Sequence, residues 1–199
     1  VRASFLPGPA HKVADKLDRL KLHEIDLTAG RGAGDRLRLH RAAAGDAGAA
    51  AGVAASANPK SSTGRLDIFT RVMTDNGQEF DKIPAGYAGP LYMEVSPRTF
   101  PIVVRTGSRL SQIRFRTRPG AAVGAELARC MRSRDAGASR PPNISGGGIA
   151  LSIDLMGGAN GLIGYRGKHH SALIDVDKRA AHDALDFWEP LYNRGDASN

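Results

Sequence analysis

Residues 80–115 read FDKIPAGYAGPLYMEVSPRTFPIVVRTGSRLSQIRF, and this stretch decides the fold class. Leu91–Val95, Ile102–Arg105 and Leu110–Phe115 are short runs rich in strand formers. Turn formers separate them: Pro84 to Pro90, Pro97 to Pro101, and Thr106-Gly107-Ser108. Proline removes a ladder donor and glycine packs no side chain, so such clusters end strands rather than sit inside them. Upstream, Leu66–Val72 is a further strand candidate, and Thr74-Asp75-Asn76-Gly77 is a strong turn. Short strands at close spacing predict a sandwich or small barrel.

Outward from this block the pattern thins. Val1–Phe5 is strand-like and is broken by Pro7-Gly8-Pro9. Val13, Leu17 and Leu20 recur at i, i+4 and i+7, which predicts a one-sided helix of about two turns. His23–Leu27 is again strand-like. Beyond the block, Pro141-Pro142 and Gly146-Gly147-Gly148 form a linker. Ile149–Leu155 and Ala172–Val176 read as strands, and Arg179–Leu191 as a helix with Ala184, Leu185 and Trp188 on one side. The organisation expected is a first module over 1–117, an atypical linker over 118–145 and an incomplete second module over 146–199.

Composition bounds the function. The chain has 199 residues, 41% of them hydrophobic, enough for a folded core. No apolar run is long enough for a membrane helix. Val1–Ser4 has neither an initiator Met nor a leader pattern, which suggests a fragment without a signal peptide. The expected location is cytoplasmic. Asn143-Ile144-Ser145 fits the glycosylation pattern but lacks that secretory context. The single Cys, Cys130, excludes an intramolecular disulfide and a cysteine zinc cage.

The net charge of +8 raises the question of nucleic acid. Its location answers differently. Residues 31–52 carry 13 Gly or Ala among 22 and a net +2, with no strand alternation and no good helix face. Residues 118–140 are similar and carry +3, which leaves +3 for the rest of the chain. A basic linker touching nucleic acid is one reading, although no aromatic residues interleave with the Arg to stack bases. A flexible linker is the second. The third is a frame-shifted stretch of a GC-rich gene: read one base later, permitted codons for Gly32–Ala50 give a β-branched run, a turn-sized gap and a second apolar run.

Several residues carry candidate chemistry. Asn58-Pro59-Lys60-Ser61-Ser62-Thr63-Gly64-Arg65 gathers two cations and three hydroxyls before a strand, a set suited to a polyphosphate. It is not a Walker A loop, and a polar hairpin loop is the plainer alternative. Glu94 lies in Leu91-Tyr92-Met93-Glu94-Val95, where alternation puts it on the face of Tyr92 and opposite Leu91, Met93 and Val95. A carboxylate in an apolar strand suits general acid–base work; the alternative is an edge-strand Glu facing water. Gln112 and Arg114 share a strand face that could meet a base edge and a phosphate, or simply solvent. Lys168-His169-His170 reads as a polar turn, since adjacent side chains on a strand point to opposite faces.

Taken together, ANPKSSTGRLDIFTR (57–71), the stretch 80–115, PNISGGGIALSIDL (142–155) and GLIGYRGKHHSALIDVDKRAAHDALDFWEPL (161–191) resemble the dCTP deaminases of the dUTPase-like superfamily, in their longer two-module bacterial form. Residues 1–27 are similar to that family too, whereas 31–52 and 118–140 are not. The resemblance implies a mainly β, dUTPase-like barrel of β-clip or jelly-roll type with short helices, followed by the start of a second such module. It implies a homo-oligomer, a trimer, with active sites at subunit boundaries. It implies zinc-free conversion of dCTP and water to dUTP and ammonia, with no nucleic-acid polymer and no membrane as partner. Zinc deaminases use H-x-E and P-C-x-x-C, which a chain with one Cys lacks.

By position, the resemblance makes Glu94 the acid–base residue, and Ser61 and Arg65 the members of an SSxxR motif that contacts triphosphate and positions water. Lys60 and Ser62 are their neighbours. Gly86 and Tyr87 belong to a G-aromatic-x-G turn, Gln112 approaches the phosphates, and Asp81 stands near the deoxyribose with two extra residues before that Gly. Mg²⁺ arrives with the nucleotide. A dUTP diphosphatase, a bifunctional enzyme and a non-catalytic nucleotide-binding or inactive fragment are the alternatives.

Overall fold

The computed structural model describes residues 3–33, 52–117, 129, 143–144 and 149–193, together with the backbone of 39–48, 145 and 148. It is mainly β, with short helices. The chain forms two compact units, one of Val1–Thr117 with Arg166–Glu189, the other of Arg118–Tyr165 with Pro190–Asn199.

The first unit opens with the expected helix α1 (Val13–Leu20), whose Val13 is fully buried. Its N-terminus is capped twice. Asp15 accepts from the Lys12 N–H at 3.2 Å, and Asp75 accepts from the Val13 N–H at 2.8 Å. Asp75 sits in the predicted 74–77 turn, closed by the Gly77 N–H donating to the Thr74 carbonyl at 3.2 Å. One turn residue thus caps a helix that is distant in sequence.

The strands are β1 (Arg31–Ala33), β2 (Leu39–Gly48), β3 (Ala54–Pro59), β4 (Ile68–Thr74), β5 (Lys82–Ile83), β6 (Ala88–Pro97), β7 (Ile102–Val104) and β8 (Ser111–Arg116). A helical turn, α2 (Ser61–Arg65), links β3 to β4. Three sheets result, in the orders β2-β6-β4, β5-β3-β8 and β1-β7-β12, where β12 is Ile174–Asp175. The β12–β7 pairing is parallel, Ile174 opposite Ile102, and returns residues far along the chain to this unit.

Two buried clusters hold these layers. Ala33, Ile68, Val95, Phe100, Ile102, Val104, Leu110, Ile174 and Phe187 form one; Ala55, Ala57, Val72, Ile83 and Leu91 form the other. The ring of Phe100 meets the edges of Phe187 and Trp188 at centroid distances of 5.6 and 4.9 Å. Arg105 grips Asp175 with two bonds of 2.7 and 2.8 Å, a fork only guanidinium supplies.

Several expectations fail for identifiable reasons. The Ala- and Gly-rich 31–52 segment shows no alternation, yet contains β1 and the ten-residue β2, which pairs antiparallel with β6 from Leu39 opposite Val95 to Gly48 opposite Ala88. Backbone donors and acceptors meeting an open ladder outweigh weak intrinsic propensity. Residues 3–5 and His23–Leu27 are not strands, having no partner ladder.

Ile149–Leu155 contributes only Ile149, within β10 (Gly148–Ile149), which pairs with β9 (Ile144–Ser145). Arg179–Leu191 is not one helix: α3 (Ala184–Phe187), capped by Asp183 accepting from the Leu185 N–H at 2.8 Å, gives way to β13 (Trp188–Tyr192). The proline at 190 lacks a ladder donor and ends helical geometry ahead of it. Its buried residue is Phe187, while Leu185 and Ala184 are exposed. β13 forms a two-stranded ladder with β11 (Leu162–Gly167). The 118–140 segment lies outside the described residues apart from Arg129.

Candidate active site

Glu94 is 1% exposed and lies on β6, the central strand of its sheet, so the edge-strand alternative fails. Alternation places Leu91 and Val95 in the two cores and turns Glu94 to the other face, as predicted. Across the β4–β6 ladder, Arg71 stands directly opposite Glu94. Arg71 Nη2 donates to Glu94 Oε2 at 3.1 Å, and Ser4 Oγ donates to the same oxygen at 2.6 Å. Arg71 Nη2 also donates to Ser4 Oγ, closing a three-membered ring of contacts. Pairing makes burial of the carboxylate tolerable; removing one partner of such a pair typically costs about 3–5 kcal/mol.

Arg71 is itself held from the side. Its guanidinium lies 3.9 Å from the Phe80 ring centroid and 4.8 Å from that of Phe69. Aromatic faces attract such a cation and restrict its rotation. Neither Arg71 nor Ser4 stands out in the sequence. A charged residue between Thr70 and Val72 in a predicted strand is the one available signal, and the ladder register that aligns it with Glu94 is a tertiary property.

The SSxxR segment is a helical turn rather than a hairpin loop. Both ends are pinned: the Lys60 N–H donates to the Leu110 carbonyl at 3.0 Å, and Asp67, in the left-handed region at φ 53°, accepts through its carbonyl from the Arg98 N–H at 3.0 Å. Thr63 packs inward, whereas Ser61, Ser62 and Arg65 are exposed and Lys60 is half-buried. Ser111 Oγ donates to Thr70 Oγ1 at 3.0 Å and so ties the start of β8 to β4 beside this turn. Among the described residues, the side chains of Lys60, Ser61, Ser62 and Arg65 make no hydrogen bond or ion pair, and the turn is not joined to Glu94.

Gln112 and Arg114 lie on β8, opposite Asn58 and Ser56, and both are exposed. The other face of β8 leaves Ile113 42% and Phe115 69% exposed, beside the buried Ala57 and Ala55. Among the described residues β8 is an edge strand.

Asp81 and Tyr87 are committed to the scaffold. Asp81, at φ 62°, exchanges backbone bonds with Val72 and Ala57, and its Oδ1 accepts from the Val72 N–H at 2.8 Å. Burial raises its carboxyl above the usual range, against that N–H bond and the charge of Arg71. Tyr87 donates to the Pro90 carbonyl at 2.7 Å and accepts from the Asp75 N–H at 3.1 Å. Its ring folds over Gly89, where an added Cβ would meet the hydroxyl at 2.9 Å, so any other residue there would force Tyr87 to shift. Gly86 is exposed at φ +73°, the left-handed conformation that Gly adopts without strain.

Lys168, His169 and His170 follow β11 in a bend; both His are exposed and Lys168 Nζ donates to the Leu185 carbonyl at 2.5 Å. Among the described residues no group of three or more His, Cys, Asp or Glu could hold a metal ion, and no helix is long and apolar enough to cross a membrane.

Residues 1–119 match the profile of the 2′-deoxycytidine 5′-triphosphate deaminase N-terminal domain, and residues 124–198 that of its C-terminal domain. The crystal structure of 2′-deoxycytidine 5′-triphosphate deaminase from Agrobacterium tumefaciens is similar with a TM-score of 0.85 and 60% identity over 98% of this chain. The present chain spans 58% of that protein's length. No curated protein sequence matches.

Proposed function

Because the chain belongs to the 2′-deoxycytidine 5′-triphosphate deaminase family, we propose that it acts in hydrolytic deamination of dCTP, with Glu94 as the acid–base group. The observation that carries the assignment is a buried, cation-paired carboxylate on a central strand of a chain with this ancestry. In the proposed reaction the carboxylate takes a proton from water, and the oxygen adds to C4 of cytosine. Glu94 passes that proton to the ring nitrogen, then takes the remaining proton from the C4 hydroxyl and gives it to the amino group, so that the C4–N bond breaks and ammonia leaves as the carbonyl of dUTP forms.

The exposed hydroxyls and cations of α2 suit the triphosphate: Ser61 and Arg65 contact it and orient the water, with Lys60 and Ser62 beside them. Gln112 and Arg114 extend that polar surface along β8. Gly86, Tyr87 and Asp81 shape the wall near the deoxyribose, Tyr87 and Asp81 mainly through the backbone they hold. Mg²⁺ comes as part of the nucleotide, with phosphate oxygens as its ligands.

In this reading the site is completed between subunits, hence a homo-oligomer, a trimer. Exposure of Ile113 and Phe115 on an edge strand supports such a contact. Free nucleotides as substrate suit a cytoplasmic protein.

The test is ammonia release from dCTP alongside pyrophosphate release from dUTP. Wild type should release ammonia, and Glu94→Gln should abolish turnover while retaining dCTP binding. Pyrophosphate from dUTP without ammonia from dCTP would make the protein a diphosphatase instead.

A further inference from the structure

The residues that hold the buried carboxylate are not among those to which the resemblance gives a role. We infer that Arg71, together with Ser4, is a positioning residue that fixes Glu94 for proton transfer; this rests on the reading of Glu94 as the acid–base group. Both donors converge on Oε2, at 3.1 and 2.6 Å. Two donors on one oxygen set the rotation of the carboxylate plane, which a single bond would leave loose. Ser4 can play this part only because Arg71 supplies its proton acceptor side with a donor, so the hydroxyl proton is directed at Glu94.

Arg71 is in turn aimed by its surroundings. The Phe80 and Phe69 rings confine the guanidinium from the side, and the ladder sets its Cα directly across from that of Glu94. Lys would lack the planar stacking on these rings. Ser4 belongs to the segment leading to α1, which the 74–77 turn holds through Gly8 N–H to Gly77 carbonyl at 3.1 Å and Asn76 N–H to His11 carbonyl at 3.0 Å. The carboxylate is therefore oriented from a sheet and from a pinned strap at once.

A purely structural pair would also explain the contacts, and kinetics separate the two. Steady-state ammonia release from dCTP is measured for the full chain and for Ser4→Ala, Arg71→Lys, Arg71→Ala and Glu94→Gln, with thermal midpoints and dCTP binding for each. Misplacing a reacting group by about 1 Å can cost on the order of 100-fold, so Arg71→Ala should lose about 100-fold in kcat with KM within about threefold. Ser4→Ala should lose less, and Arg71→Lys should recover only part of the loss. Added guanidinium should partly rescue Arg71→Ala.

Unchanged kcat in Ser4→Ala and Arg71→Lys, with Glu94→Gln inactive, overturns the inference alone; those two variants decide it even if Arg71→Ala fails to fold. A loss confined to KM or to the melting midpoint overturns it as well. Retained turnover in Glu94→Gln, or no ammonia from the unaltered chain, overturns the site assignment and this inference with it.

Discussion

Replacing Phe100 with Ala tests the architecture of the first unit through a built-in reporter. Phe100 is fully buried and packs edge-on against Phe187 and Trp188. Trp188 is the only tryptophan in the chain, so its emission reports this one contact. Removing a buried phenylalanine ring typically costs about 3–5 kcal/mol, through lost transfer energy and the cavity left behind. Two aromatic edge contacts, each worth about 0.5–1.5 kcal/mol beyond area, place Phe100→Ala towards the top of that range. For a protein of this size each kcal/mol lowers the melting midpoint by about 2–4 °C, so a drop of about 10–20 °C is expected.

The assay is urea and thermal unfolding followed by tryptophan fluorescence, with far-ultraviolet circular dichroism in parallel. Phe100→Ala should also red-shift the native emission as Trp188 gains water. Leu185→Ala, at an exposed position within α3, is the control and should change stability by no more than about 0.5 kcal/mol. An unshifted emission together with a loss below about 1 kcal/mol would refute the packing of 187–188 on the Phe100 core.

Other perturbations probe the electrostatics and the turns. Asp175 is held below the usual carboxylate range mainly by its Arg105 bonds. Its contribution is present above the unfolded value and is lost as pH falls through the folded one. Arg105→Gln should therefore lower the melting midpoint most at neutral pH, the gap to wild type closing in strong acid. Asp81 has the opposite sign: burial raises its carboxyl, so the ionised form weakens the fold at neutral pH and protonation relieves it. Asp81→Asn keeps an acceptor for the Val72 N–H and tolerates φ 62°, so a higher midpoint at pH 7 is expected, whereas Asp81→Ala should lower it. Tyr87→Phe leaves the Asp75 N–H without the hydroxyl that accepts from it and should cost about 1–3 kcal/mol in urea unfolding. Independent reads of the source DNA across Gly32–Ala50 test the frame-shift reading, which an intact single frame would remove.

What could be read from the sequence depended on local physics. The α1 spacing of Val13, Leu17 and Leu20, the 74–77 turn and the alternation around Glu94 are properties of a few consecutive residues, and all three appear in the structure. The strand β2 was not legible because Ala and Gly carry almost no pattern; its formation depends on the partner β6. The helix expected over Arg179–Leu191 rested on three spaced apolar residues, while the core uses Phe187 and the chain turns extended at Trp188. At the site, Glu94 announced itself as a charge in an apolar strand. Arg71 and Ser4 did not, because a cross-strand register and a contact 90 residues apart leave no trace in spacing.

The parallel β12–β7 pairing has a consequence for how the chain may be cut. Ile174, Phe187 and Trp188 help wall the core around Phe100 and Ile102, and Arg105 clasps Asp175 across the same junction. A protease nick placed between residues 118 and 145 would thus yield fragments that remain associated without a covalent link. Expressing residues 1–117 alone would strip that core of one wall, whereas supplying 146–199 as a separate polypeptide should restore it by complementation.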